Sequence, residues 1–450
     1  MKHRTIDLLN GNILSVLTGL AVPIMATALV QAVYNLTDMA WIGMVGSDAV
    51  AAVGAAGMYT WFSTGVAALA KMGGQVQVAQ AIGGGKQEKA AAYGRGALQM
   101  ALMLALAYGM FTNLFAESLI GFFHLNSADT IRGAVIYLRI ACGLILFAFT
   151  GQTLTGLYTA SGNSRTPFLA NCIGMCLNLL LDPVLILGIG PFPALGVTGA
   201  AIATVSAQMV VCLVLILSAG KDPLLSTCLH IWKRTRLSYF QNIGKIGIPA
   251  ALQEMVYCGI SMVLTRFITN WGDGAVAVQR VGGQIESLAW MTSQGFGTAI
   301  NAFTGQNYGA GNLQRVKKGY HTAAAAMFTW GLLTTALLYF GAEPIFRLFI
   351  READVVPIGV SYLKIIAVGE TFMCMELMTV GAMSGLGLTL EASVITILFT
   401  TMRIPLSMAL GSTALGLDGV WWALSLSSIM KGILFFCFYK YRLSNFNMLK

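Results

Sequence analysis

Long apolar stretches alternate with short polar breaks along the whole chain. Twelve such stretches stand out, at 13–45, 50–82, 90–116, 132–160, 166–189, 196–219, 240–270, 275–306, 319–342, 356–385, 391–413 and 418–439. A helix needs about 20 residues to cross a hydrocarbon core of roughly 30 Å, so each stretch is long enough. Several exceed that length, which implies tilt or kinks. Pro23, Pro249 and Pro405 fall inside or near these stretches, and each removes a backbone donor. Such breaks survive in a membrane where neighbours or a wet cavity satisfy the freed groups. The pattern predicts an all-α polytopic membrane protein with twelve transmembrane helices.

The chain also repeats itself. Residues 20–95 lie on 246–321 without a gap, at an offset of about 226. Pro23 then meets Pro249, Gly46 meets Gly272, and Gln80, Gly83 and Gly85 meet Gln306, Gly309 and Gly311. Further on the register drifts by a few residues, as loop insertions produce: Ser161-Gly162 matches Ser384-Gly385, and Pro183 matches Pro405. Each half holds six stretches. This predicts two pseudo-symmetric six-helix lobes, 1–219 and 241–450, joined by a cytoplasmic linker at 220–240 that is rich in Lys and Arg. A parallel repeat of this kind implies an axis along the membrane normal, with substrate held near the midplane.

Charge agrees with a bilayer as solvent. Only 10% of residues are charged and 56% are hydrophobic, against about 25% charged in soluble domains. The net charge of +9 does not mark a nucleic-acid binder, because the basic residues sit in short loops between apolar runs. With the N-terminus inside, the inner loops hold Lys2, Arg4, Lys86, Lys89, Arg95, Arg165, Lys221, Lys233, Arg234, Arg236, Lys245, Arg315, Lys317, Lys318, Lys440, Arg442 and Lys450. The outer loops hold only Arg132, Arg347 and Arg351. This bias predicts both termini in the cytoplasm. The polar start shows no cleavable leader, so the first apolar helix is expected to remain. The eight cysteines form no CxxC pair and read as small core residues. The absence of HExxH and of GxxxxGK[ST] gives no support to a metalloenzyme or to direct ATP use.

The repeat motifs carry a specific likeness. Gly305-Gln306-Asn307-Tyr308-Gly309-Ala310-Gly311-Asn312 with Arg315, its degenerate twin Ala79-Gln80-Ala81-Ile82-Gly83-Gly84-Gly85, Asn178-Leu179-Leu180-Leu181-Asp182-Pro183 and Arg403-Ile404-Pro405-Leu406 together resemble the multidrug and toxic compound extrusion (MATE) family. The likeness runs over essentially the whole chain. The glycines of these motifs read as helix ends at cytoplasmic turns.

An ionisable group at mid-bilayer costs about 2.5 kcal/mol or more and is a functional candidate by default. Asp38, Asp182, Glu254, Glu286, Glu370 and Glu376 lie in the apolar stretches, together with Lys71, Arg139, Arg266, Arg280, Lys364, Arg403 and Lys431. Several of the basic ones can snorkel to the interface. Tyr34 and Asp38 are four residues apart, as are Asn178 and Asp182, so each pair shares a helix face. The alternative for the two aspartates is a buried pair with a basic residue, for which Lys71 is the available partner. Glu370 and Glu376 point in different directions, so that one is expected to line a cavity while the other pairs with Arg266 or Lys364.

The resemblance implies an ion-coupling site at Asp38, Asp182, Asn178 and Tyr34, with Thr204 (or else Thr198) on the sixth helix and Gln152 on the fourth. Asp38, Asp182 and Asn178 would be the metal ligands if the ion is Na+. Glu254 falls where another branch of the family carries a coupling glutamate, and Glu370 or Glu376 is a further candidate for coupling in the second lobe. The implied function is a secondary antiporter that exports organic, often cationic or amphipathic, compounds in exchange for H+ or Na+ by alternating access, without covalent catalysis or a cofactor. It would act as a monomer in the plasma (inner) membrane, with small organic molecules and the lipid bilayer as partners and no nucleic acid. The alternatives are a flippase for lipid-linked glycans, for which a strongly cationic cavity is expected, or an exporter of an endogenous metabolite.

Overall fold

The computed structural model describes residues 5–125, 127–189, 193–349 and 352–444, without the side chains of Leu36, Asp273 and Val276. Lys2, Arg4, Arg351 and Lys450, used above for orientation, lie outside the described residues.

Among those residues the regular structure is helical. In the first half α1 is Ile13–Val45, α2 Ser47–Gly83, α3 Gln87–Leu114, α4 Ala116–Gly121, α5 Ala128–Gly143, α6 Leu146–Ala160, α7 Arg165–Leu187, α8 Val197–Ala219 and α9 Pro223–Cys228. In the second, α10 is Leu237–Ile268, α11 Asp273–Gly309, α12 Leu313–Phe340, α13 Ala342–Arg347, α14 Val356–Gly385, α15 Thr389–Thr401, α16 Arg403–Gly411 and α17 Leu417–Ser444. The repeat is visible in these lengths: α2 and α11 both have 37 residues, α3 and α12 both 28, and α4 and α13 both 6.

Among the described residues nine segments are long and apolar enough to cross a membrane, and α5 with α6, bent by 44°, makes a tenth. The remaining two of the twelve are α2 and α11. Their small and polar residues give less apolar runs, yet 37 residues extend about 55 Å at 1.5 Å each. The buried face of α2 is built largely of Ala and Gly, and it packs against α3, α5 and α6. Small residues let helix backbones approach closely. The outward faces carry large apolar side chains such as Leu106, Met110, Leu217 and Phe340, the composition that lipid requires.

The prolines act differently. Pro23, Pro183 and Pro249 stay inside continuous helices. At Pro405 the helix divides, with α15 ending at Thr401 and α16 starting at Arg403. Thr401 is the residue whose carbonyl the Pro405 ring would crowd.

The chain forms two compact units. Unit 1 comprises Met1–Ile6 and Ala26–Ala251, and unit 2 comprises Asp7–Met25 and Leu252–Lys450. Two helices are therefore shared: α1 passes from unit 2 to unit 1 after Met25, and α10 from unit 1 to unit 2 after Ala251. Both points follow closely on a repeat-matched proline, Pro23 or Pro249. In unit 1, α7 packs on α8, and α8 on α5 and α6. The segment 220–240 folds back on this unit. Asp222 caps α9, accepting from the Leu224 and Leu225 N–H groups at 2.9 and 3.0 Å, and α9 packs on α3. Burial there pushes the Cys228 thiol up to about 12. In unit 2, α14 is central and packs on α11, α12 and α17. Gly297 of α11 and Gly381 of α14 meet backbone to backbone, so that a side chain at Gly381 would collide with the Gly297 carbonyl.

Candidate functional site

Unit 1 gathers polar groups from four helices. Asp38 and Tyr34 come from α1, Asn178 and Asp182 from α7, Thr204 from α8 and Tyr137 from α5. Asn178 is fully buried and Asp182 is 1% exposed. With its amide turned so that both atoms are satisfied, Asn178 donates to Asp182 Oδ2 at 2.7 Å and accepts from the Thr204 N–H at 3.3 Å. The Tyr34 hydroxyl lies 3.2 Å from Thr204 Oγ1. Asp38 and Asp182 feel each other's charge. Asp38 Oδ1 is buried without a hydrogen-bond partner among the described residues. Among the described residues neither aspartate forms a salt bridge.

The structure thus brings Tyr34, Asp38, Asn178, Asp182 and Thr204 together. Gln152 is half-buried on α6, and no hydrogen bond joins it to the group among the described residues. Thr198 stays at the start of α8, bonded through its N–H to the Leu195 carbonyl. Tyr137 is a member of the group that the sequence does not single out. It is 6% exposed, it contacts the Thr204 side chain, and it is close enough to sense both aspartates. A tyrosine within an apolar helix carries no mark that separates this role from packing. The donor set is all oxygen (two carboxylates, an amide, two phenols and a threonine), which suits a proton or a hard monovalent cation.

Unit 2 holds a second group. Glu376 is 4% exposed and ion-paired with Lys431 at 2.7 Å; its partner is therefore neither Arg266 nor Lys364. Glu376 and Lys431 are buried where α14 packs on α17, and a lysine on a distant helix cannot be matched to its glutamate by spacing alone. Glu370, on the same helix, is 1% exposed, and both its oxygens lack a hydrogen-bond partner among the described residues. Glu286 accepts from the Tyr362 hydroxyl at 3.2 Å. Arg403 donates from Nε to Ser427 Oγ at 3.1 Å and from Nη2 to Ser428 Oγ at 3.2 Å. A cavity of about 110 Å³ opens between Glu286, Glu370, Arg403, Tyr257, Gln279 and Met373. Glu254 is half-buried on α10 near Tyr257 and Cys258, and it is not among the cavity's lining residues.

Residues 23–184 and 249–409 match the family described as MatE. The chain is 26% identical over 426 residues to the probable multidrug resistance protein NorM of Thermotoga maritima, a match covering 90% of this chain and 87% of that one. It is 26% identical over 443 residues to the FAD transporter of Shewanella oneidensis, covering 98% and 96%. Among solved structures, a MOP superfamily transporter from Pyrococcus furiosus superposes with a TM-score of 0.90 at 24% identity, over 98% of both chains. That last likeness is one of fold.

Proposed function

Since the chain belongs to the MatE family, the multidrug and toxic compound extrusion transporters, and is not an enzyme, we propose that it exports organic, often cationic compounds in exchange for H+ or Na+ by alternating access. The observation that carries this reading is Asp38 Oδ1, which is buried beside a second carboxylate, Asp182, and has no hydrogen-bond partner among the described residues, where neither aspartate forms a salt bridge. Two neighbouring carboxylates under such burial are costly unless a positive species joins them. A proton, a sodium ion or a cationic substrate each answers that need, so they compete. Asn178 positions Asp182 through its 2.7 Å bond, and Tyr34, Tyr137 and Thr204 complete an oxygen lining. An inward-moving cation gains about 2.3 kcal/mol per charge per 100 mV, enough to drive export without nucleotide hydrolysis.

In this reading the protein is a multi-pass resident of the inner membrane with both termini cytoplasmic. The Lys and Arg content of the α2–α3 and α11–α12 turns and of segment 220–240 supports that orientation. The similarity to an FAD transporter favours a second reading, in which the cargo is an endogenous metabolite. One experiment addresses both. Purified protein in liposomes is loaded with a fluorescent organic cation or with FAD and driven by an imposed proton or sodium gradient. Gradient-driven export of the organic cation, reduced on the order of tenfold or more by Asp38→Asn, supports the proposal. FAD export alone supports the second reading, and equal export by Asp38→Asn refutes the role of the carboxylate.

A further inference from the structure

One turn of the segment 220–240 is held by α3 while its own side chains stay free. The Gln99 amide donates to the Ile231 carbonyl at 2.6 Å and to the Lys233 carbonyl at 3.0 Å. Arg95 Nε donates to Thr235 Oγ1 at 3.1 Å, and the Lys233 N–H closes the turn on the His230 carbonyl at 3.0 Å. A little further on, the Tyr239 ring meets Tyr93 edge to face. Between these fixed points Trp232 is 95% exposed. Lys233, Arg234 and Arg236 are also exposed and form no salt bridge among the described residues. The only acid between positions 220 and 245 is Asp222, and its carboxylate caps α9.

The depth of this turn selects what meets it. Gln99, Met103, Leu106 and Met110 are spaced as one face of α3. Met103, Leu106 and Met110 are exposed and apolar, so that face meets lipid. Gln99 stands about 6 Å, one helical turn, beyond Met103. The turn that it holds therefore lies in line with the lipid-facing stripe and just outside its end. An exposed indole at that level belongs to the boundary between headgroups and acyl chains, and basic side chains around it draw anionic lipids.

We propose that residues 230–236 form a docking site for an anionic phospholipid, with Trp232 at the level of its glycerol and Lys233, Arg234 and Arg236 on its phosphate. The backbone is fixed before the lipid arrives, so binding orders only side chains. A zwitterionic headgroup brings its own ammonium group, which the same basic cluster opposes. An acidic protein or a nucleic acid also offers negative charge, but it has no apolar part for an indole in line with lipid-facing methionine and leucine. The inference needs only that the chain spans a membrane. It does not rest on the export reading, and all its residues belong to unit 1.

The test follows the fluorescence of the detergent-solubilised full chain during titration with phosphatidylglycerol or phosphatidylcholine, each brominated near the glycerol end of its acyl chains. The signal of Trp232 is the difference between wild type and Trp232→Phe, a change at an exposed position. The expected result is half-quenching of that signal by phosphatidylglycerol at a concentration lower by at least about fivefold than phosphatidylcholine requires, the worth of roughly one basic residue at a charged membrane surface. The preference should vanish when Lys233→Gln, Arg234→Gln and Arg236→Gln are combined. The comparison of the two lipids on wild-type basic residues stands even if that combined variant folds poorly. Equal quenching by both lipids, quenching by neither, or a preference that survives the combined variant overturns the proposal. So does displacement of phosphatidylglycerol by an equal concentration of glycerol phosphate, which would make the site one for free phosphates.

Discussion

Lys431 Nζ stands 2.7 Å from Glu376 Oε1, with the two side chains 4% and 5% exposed. Breaking such a pair from one side strands a buried charge, which costs about 3–5 kcal/mol. Glu376→Gln is expected to lower the melting temperature of the detergent-solubilised protein sharply. Glu376→Leu combined with Lys431→Met removes both charges and is expected to recover most of the loss. A double variant as unstable as the single one would contradict this account of the pair.

Glu370 should behave in the opposite way, although it lies on the same helix. Its carboxylate has no partner to lose among the described residues, so Glu370→Gln removes a buried group that is costly when ionised. Melting measurements are expected to show unchanged or higher stability. A drop comparable to that of Glu376→Gln would show that Glu370 is bonded after all.

Much of the fold was legible in the residues, because crossing a bilayer imposes a length and a composition that few other structures share. The equal lengths of α2 and α11 follow from the repeat, whereas no sequence signal separates Pro405, where the helix divides, from Pro23, Pro183 and Pro249, which stay in continuous helices. In the site, the spacing of Tyr34 from Asp38 and of Asn178 from Asp182 fixed which side chains share a face. Spacing within one helix says nothing about which helix lies opposite. Tyr137 joining the aspartates and Lys431 reaching Glu376 are tertiary facts of that kind, as is the division of α1 and α10 between two units.

The Gly297–Gly381 contact predicts a steric limit. Gly381→Leu places a side chain against the Gly297 carbonyl and is expected to cost at least about 1–3 kcal/mol, seen as a lower melting temperature or a loss of monodisperse protein. Gly283→Ala, at a position with open space around its Cβ, should change stability by less than about 1 kcal/mol. Equal effects of the two substitutions would dismiss the close approach of α11 and α14.

The segment before α1 carries a pH-sensitive fastening. Arg315 donates to the Asn10, Gly11 and Leu8 carbonyls at 2.8, 3.0 and 3.4 Å. Asp7 accepts from the Leu9 N–H at 2.9 Å and from the Asn10 side-chain amide at 2.9 Å. The Asn10 amide foremost, then the backbone N–H groups and the Arg315 charge, hold the Asp7 carboxyl below the usual carboxylate range, against the opposing effect of burial. A depressed folded pKa means that the fastening is complete above the ordinary carboxylate pKa and is lost as pH falls through the lowered value. Amide exchange at Leu9 and Asn10, corrected for intrinsic rates, should therefore lose protection between neutral and strongly acidic pH. In Asp7→Ala, protection should be low throughout. Protection independent of pH in the wild type would count against the fastening.

The competition at Asp38 and Asp182 can be observed directly by following what leaves when a cationic substrate arrives. Purified protein in weakly buffered solution, equilibrated with sodium, is titrated with an organic-cation dye while released protons and sodium are measured together. The account predicts that wild-type binding expels one of these ions in proportion to bound dye, and that the release disappears in Asp38→Asn. Dye binding that expels neither ion, or the same release from Asp38→Asn, would contradict it.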